Sequence, residues 1–145
     1  MTARLNSERM NSGKSTIHEY DSVIYPFYLW VVVKPTLRQL KRFYNQHPNC
    51  EVTEFTDDEV DKPNTIASVY PVTQADYKKG GVLVAIYRPK EFKTKHIAHE
   101  SAHCADYITE TLGISSGSFD HGEAYAYLVG WVADCIEKTT KKKKK

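Results

Sequence analysis

The chain lacks the features of a secreted or membrane-spanning protein. Its longest apolar run, VIYPFYLWVVV from Val23 to Val33, is shorter than the roughly 18–20 residues that cross a bilayer. The residues before it contain no apolar segment typical of a secretory signal. The sequence has only three cysteines, an odd number without a CxxC pair, which argues against a disulfide framework and predicts reduced thiols. We therefore expect a cytoplasmic protein that does not contact a membrane.

The net charge of +2 hides an asymmetry along the chain. Six lysines stand at the C-terminus, at position 138 and at positions 141–145, and without them 14 basic residues face 18 acidic ones. We predict an acidic body and a basic tail over residues 138–145, with contact to nucleic acid only through this tail. Residues 1–19 are polar and aperiodic, which predicts a flexible N-terminal arm.

The apolar pattern of residues 20–137 predicts a single α+β domain. Aromatic and β-branched segments predict strands over 22–34, 65–72 and 82–88, and Pro71 favours an edge position for the second of these. Helical spacing predicts helices over 36–47, from about 91 to 112 with Gly113 as C-cap, and from 123 to about 138. The predicted core consists of Trp30, Val32, Val82, Val84, Ile86, Ile97, Tyr107, Leu128, Val132 and Ile136.

A histidine cluster on the second of these helices carries the main chemical signal. The stretch from His99 to His103 reads HESAH and matches HExxH, and residues four apart on a helix lie on one face. The two imidazoles can therefore bind one Zn²⁺ ion. Glu100 is turned about 100° from them around the helix, beside the ion, where it can take a proton from metal-activated water. The small residues between and after the histidines allow the helix to pack closely on a sheet.

A catalytic zinc site needs a third protein ligand and an open position for water. Glu123, which opens the next helix, is the best candidate, although a carboxylate there can also simply cap the helix. His121 and Asp106 are the alternatives, and either can instead support the site from outside the coordination sphere, Asp106 by orienting a ligand histidine. His96 lies one turn before His99 and either stands at the mouth of the cleft or is structural.

The stretches HESAHCADYI and GEAYAYLVGWV resemble zincin metallopeptidases of the gluzincin type, and more narrowly small zincin-like proteins of bacteriophages and prophages. The resemblance covers about residues 85–137. It implies one Zn²⁺ bound by His99, His103 and Glu123, with Glu100 as general base and acid. It also implies a minimal zincin-like α+β fold. In it, a small mixed or antiparallel sheet packs on the active-site helix and the following C-terminal helix, and an edge strand can pair with an extended peptide.

The chain departs from the larger gluzincins in two respects. Tyr127 occupies the position, one turn after Glu123, where those enzymes often carry an aspartate. Tyr127, or alternatively Tyr125, can donate a hydrogen bond to the oxyanion of a tetrahedral intermediate. The chain also has no large C-terminal subdomain to form the far wall of a cleft.

These observations predict a zinc-dependent metallopeptidase that hydrolyses a protein or peptide substrate, located in the cytoplasm or associated with a virion. The alternative is a non-catalytic module that zinc stabilises, tethered to nucleic acid or to a partner through the lysine tail. A fourth protein ligand, His121 or His96, would favour the alternative, because structural zinc sites are closed and catalytic ones keep a water.

Overall fold

A computed structural model describes residues 4–9, 16–46, 51–113 and 122–143 of the protein. It has seven strands: β1 (Arg4–Arg9), β2 (Thr16–Asp21), β3 (Tyr28–Val33), β4 (Phe43–Gln46), β5 (Val52–Glu54), β6 (Ala67–Gln74) and β7 (Gly80–Ile86). The helices are the single turn α1 (Leu37–Leu40) and the long α2 (Thr94–Leu112) and α3 (Glu123–Lys143). Two 3₁₀ turns, Asp57–Glu59 and Pro89–Glu91, complete the structure.

The strands form one mixed sheet in the order β1-β2-β3-β7-β6-β4-β5. Only the central pair β3 and β7 is parallel, with Tyr28 opposite Gly81 and Val33 opposite Ile86. All other neighbours are antiparallel. A mixed sheet covered on one face by α2 and α3 confirms the predicted α+β class.

Both faces of the sheet are buried, and the alternation of side chains along β3 divides the core into two halves. Leu29, Val31 and Val33 point to the face that α2 and α3 cover. Trp30 and Val32 point to the opposite face, where α1 and the segment after β5 pack. Of the predicted core residues, all are buried except Ile97 and Tyr107, which are half-buried at the edge of the helical half.

The prediction of a loose arm over residues 1–19 is wrong for the part that the structure describes. Arg4–Arg9 and Thr16–Asp21 pair as an antiparallel ladder, and the second strand also pairs with β3. Ile17 and Tyr20 are buried, and the polar Glu19 is accommodated because it accepts a hydrogen bond of 2.9 Å from Trp30 Nε1. Strand pairing satisfies the backbone hydrogen-bonding groups of this polar segment. The periodicity of the side chains does not predict this pairing.

The predicted helix over 36–47 ends after one turn. Thr36 caps it through Gln39, but the chain then enters β4, where Phe43 is buried and packs edge-on against Trp30 with ring centroids 4.9 Å apart. The predicted strand over 22–34 begins only at Tyr28. Both differences arise because contacts across the sheet override local spacing.

The two long helices lie where the sequence predicts them. Gly113 ends α2 in the left-handed conformation with φ of 72°, and α3 begins at Glu123. The prediction of a basic tail from residue 138 needs correction, because α3 continues to Lys143 and forms ion pairs with the preceding turn, Lys138–Asp134 and Lys141–Glu137. Residues 144 and 145 lie outside the described ranges. Within those ranges, none of the helices has the length and apolar content needed to cross a bilayer.

Gly81 is required where the parallel strands meet. A Cβ on it would overlap the backbone of Tyr28, whereas a Cβ on Gly80 would meet open space. We expect Gly81→Ala to lower the free energy of unfolding by about 2–3 kcal/mol, because β3 and β7 must move apart. Urea unfolding followed by circular dichroism measures this loss. Gly80→Ala is the matched control, and an equal loss in both variants would contradict the assignment.

Candidate functional site

The first half of α2 presents two different sides, and small residues determine which side faces the protein. Ser101, Cys104 and Ala105 are fully buried against the sheet and α3, as their size predicts. This contact fixes the rotation of the helix about its axis. His99 and His103 therefore lie on the exposed side, while Glu100 lies at the flank that faces β6.

The two histidines of the HExxH motif converge. Their Nε2 atoms are 3.1 Å apart, and the rings meet edge to face with centroids at 4.7 Å. Two nitrogens at this distance either share a proton or bind a common ion. In a tetrahedral zinc site with Zn–N bonds of 2.0–2.1 Å, two nitrogen ligands lie about 3.3 Å apart. The observed separation of 3.1 Å is close to this value.

Glu100 is the one buried carboxylate beside this pair. It is 7% exposed, and its Oε2 has no hydrogen-bond partner. Burial raises the pKa of Glu100, and the neighbouring His99 and His103 lower it by a smaller amount. A buried carboxylate oxygen without a donor is unfavourable, so its surroundings suit a proton or a nearby cation.

A cavity of about 490 Å³ opens between the N-terminal half of α2 and the start of β6. Its wall on the helix side includes His99 and Glu100, and its wall on the strand side is the segment 64–67. The motif histidine and the orphaned carboxylate therefore face the same space, which is open to solvent.

The strand beside this cavity, β6, is covered by the described part of β4 only near its C-terminal end. Tyr87 N–H donates to Ile66 O, and Gln74 N–H donates to Lys79 O. In this antiparallel pair the backbone N–H and C=O groups of the even-numbered residues of β6 therefore point toward β7. Ala67 and Val69 therefore direct their backbone groups to the other side, where β4 pairs only with residues 72–74. Over 67–71, no described strand covers this edge. Because β6 lies between β7 and β4 in the sheet, the edge position predicted from Pro71 is wrong.

His96 belongs to the cavity wall and not to the pair formed by His99 and His103. Its Nδ1 accepts a hydrogen bond of 2.8 Å from Lys93 N–H, and its ring stacks on Phe92 with centroids 6.1 Å apart. The neutral imidazole therefore carries its proton on Nε2. Both predicted roles of His96, a place at the cleft mouth and a structural function, are present together.

Tyr125, in the first turn of α3, contacts α2. Tyr125 Oη lies 3.5 Å from the carbonyl oxygen of Ala102, and its side chain is hydrogen-bonded to Asp106. Glu123 and Tyr127 share another side of α3, about 200° around the helix from Tyr125, and both are exposed. Asp106 thus supports the contact between the two helices.

The structure assembles the predicted site in part. Among the described residues, no group of three His, Cys, Asp or Glu side chains converges as a metal site. His99 and His103 come together as a pair, whereas Glu123 is not gathered with them. His121 lies outside the described residues, as does most of the loop before α3. The third ligand therefore stays a prediction.

Sequence reasoning did not identify two features of this site. The interaction of Tyr125 with α2 depends on how the two helices pack, and Tyr125 and Tyr127 cannot be told apart by spacing alone. The partial cover of β6 depends on where β4 ends. Pro71 predicts an edge strand, whereas the structure has an interior strand that β4 covers over residues 72–74, after the proline that has no N–H for this ladder.

No known protein family, curated protein or solved structure matches this chain. The function must therefore be argued from the residues themselves.

The buried carboxylate generates a prediction for the metal-free protein. A raised pKa means that the folded protein holds the proton of Glu100 more tightly than the unfolded chain does, so the ionised group opposes folding above the unfolded-state pKa of about 4.3. We expect Glu100→Gln to increase the free energy of unfolding at pH 7 in EDTA. The gain should vanish as the pH falls below about 4.

Denaturant unfolding between pH 3 and pH 8 tests this expectation. Glu110→Gln, at an exposed position on the same helix, is the matched control and should show no such gain. A Glu100→Gln variant that is less stable than the parent at pH 7 would show that the carboxylate is satisfied in the native state.

Proposed function

We propose that the protein is a zinc-dependent metallopeptidase. The observation that carries the proposal is the convergence of His99 Nε2 and His103 Nε2 at 3.1 Å, beside a buried carboxylate with an unpartnered oxygen. Both imidazoles are exposed, so an ion can reach them. Two neutral nitrogens and a carboxylate are a donor set that suits Zn²⁺.

Zinc bound there would lower the pKa of water toward 7 and polarise a carbonyl group. Glu100 is placed to handle the proton. Glu100 lines the cavity, and its buried Oε2 has no competing donor, so in this proposal the carboxylate accepts a proton from the attacking water and delivers it to the leaving amine. The raised pKa of Glu100 in the metal-free protein moves this group toward the range in which it can both take and release a proton.

The side of β6 that β4 leaves uncovered within the described ranges supports a peptide as the substrate. There the backbone N–H and C=O groups of Ala67 and Val69 point away from β7, beside the cavity that Glu100 lines. An extended peptide can pair with them as an added strand, which holds its backbone along the cavity. Since these contacts involve only backbone atoms, they bind peptides of many sequences.

In this proposal Glu123 is the third ligand, and Tyr127 donates a hydrogen bond to the oxyanion. Both side chains are exposed on one face of the first turns of α3. To bind with His99 and His103, the carboxylate of Glu123 must turn toward the pair, so metal binding must reorder the start of this helix. His121 and Asp106 remain the alternatives for the third position.

Zinc affinity tests the ligand set. We expect His99→Ala and His103→Ala each to weaken zinc binding by about 100-fold or more in isothermal titration calorimetry, because each removes one of few strong ligands. His96→Gln is the control, since His96 already uses Nδ1 for Lys93, and it should bind zinc as the parent does.

The third ligand is identified by titrating three further variants, Glu123→Ala, His121→Ala and Asp106→Ala. The variant with the largest loss of zinc affinity names the ligand.

Peptide hydrolysis tests the chemistry. We expect the zinc-loaded parent to cleave an unfolded protein such as reduced casein, and Glu100→Gln to retain zinc but lose activity by about 10²–10⁴-fold, the usual contribution of a general base. Mass spectrometry of the products measures both rates. Glu110→Gln is again the matched control.

If Glu100→Gln cleaves as fast as the parent, the role of Glu100 is wrong. If the parent binds zinc through four protein ligands and cleaves nothing, the non-catalytic module is the correct function.

A further inference from the structure

We propose that the cavity beside Glu100 accepts an acidic side chain of the bound peptide, and that Lys95 and His96 select it. This inference rests on the proposed function for the presence of a peptide. It goes further because it names the class of substrate, peptides with aspartate or glutamate next to the site of cleavage.

The lining of the cavity is rich in hydrogen-bond donors. Lys95 carries a positive charge, and His96 presents Nε2–H because its Nδ1 already accepts from the backbone. Asn64 and Thr65 add an amide and a hydroxyl group from the opposite wall. Ile66 and Ala67 supply an apolar surface for the methylene groups of an acidic side chain, leaving the polar groups to meet its carboxylate.

The surroundings of the cavity are positive on an otherwise acidic body. Lys90, Lys93 and Lys95 are all exposed, and none of them forms an ion pair with another described residue. The one carboxylate in this segment, Glu91, is neutralised by Arg88 at 2.6 Å. The first turn of α2 contains no acidic residue, so the positive end of the helix dipole adds to this potential. Acidic peptides are therefore attracted to this end of the cleft.

Glu100 lines the same cavity, but it does not stand where the acidic side chain would bind. Lys95 and Glu100 are five residues apart, which is about 7.5 Å along the helix axis. The cavity thus has a donor-rich end at Lys95 and an acceptor at Glu100. A peptide carboxylate at the Lys95 end lies beyond hydrogen-bonding distance of Glu100.

Binding of peptides to the full-length metal-free protein in EDTA tests the inference without any requirement for catalysis. The probes are pools of fluorescein-labelled nonapeptides with randomised flanks and amidated C-termini, whose central residue is Glu, Gln, Asp, Asn or Lys. We expect the Glu and Asp pools to bind about fivefold more tightly than the Gln and Asn pools, as for one exposed ion pair. Fluorescence anisotropy measures the affinities, and the difference should shrink as salt is added.

Charge reversal at one position identifies the determinant. Lys95→Glu should abolish the preference for acidic pools and favour the Lys pool. Lys41→Glu makes the same change of net charge at an exposed position after α1, on the opposite face of the sheet, and should retain the preference for acidic pools. Since glutamate is favourable in the first turn of a helix, Lys95→Glu should fold as well as the parent.

Each outcome decides the matter. Equal binding of all pools, no binding at all, or the same effect from Lys41→Glu and Lys95→Glu would overturn the inference. A preference that appears only for peptides with a free C-terminus would assign the cavity to a terminal carboxylate and would equally overturn it. Zinc titration and cleavage are separate measurements, so a failure of the proposed peptidase function remains distinguishable from a failure of this specificity.

Discussion

The close packing of α2 on the sheet is the interaction on which the candidate site depends. Ser101, Cys104 and Ala105 together bring the helix so near the strands that it cannot rotate about its axis without steric overlap. This single constraint sets two environments on one turn of helix. Glu100 is held at the boundary between helix and strand, where it is buried, while His99 and His103 remain accessible. Larger side chains on the packing face would rotate the helix and change the exposure of Glu100 and of the two histidines together. The chemistry of the motif therefore depends on small buried residues that do not bind the metal or the substrate.

The sheet supplies the second half of the site through the way its strands end. β7 is held on both sides, by β3 in parallel and by β6 in antiparallel orientation. β6 is paired fully on that side but only over residues 72–74 on the other. Pro71 explains the boundary, because it has no N–H to continue the ladder with β4. The open half of the strand is thereby placed next to α2, where it adjoins the cavity.

The local part of this arrangement follows from the sequence, and the nonlocal part does not. The pairing of His99 with His103 and the turn of Glu100 away from them require only helical geometry, which a five-residue motif specifies. The strand over 4–9 and the early end of α1 depend on partners distant in the chain, so side-chain spacing misleads there. The direction of Glu123 is also nonlocal, since it depends on how α3 rotates against α2, with Leu128 buried and Tyr125 at the contact.

Three features of the structure lie close together at the candidate site. The Oε2 of Glu100 is buried without a donor, and the Nε2 atoms of His99 and His103 approach to 3.1 Å. On the side that faces away from β7, the backbone of Ala67 and Val69 is not covered by any strand in the described ranges. A cation satisfies the first two groups, and an extended chain satisfies the third. These features adjoin one cavity, so a metal held by the histidines and a peptide added to β6, as proposed above, would meet there. A purely structural ion would give the uncovered side of the strand no role.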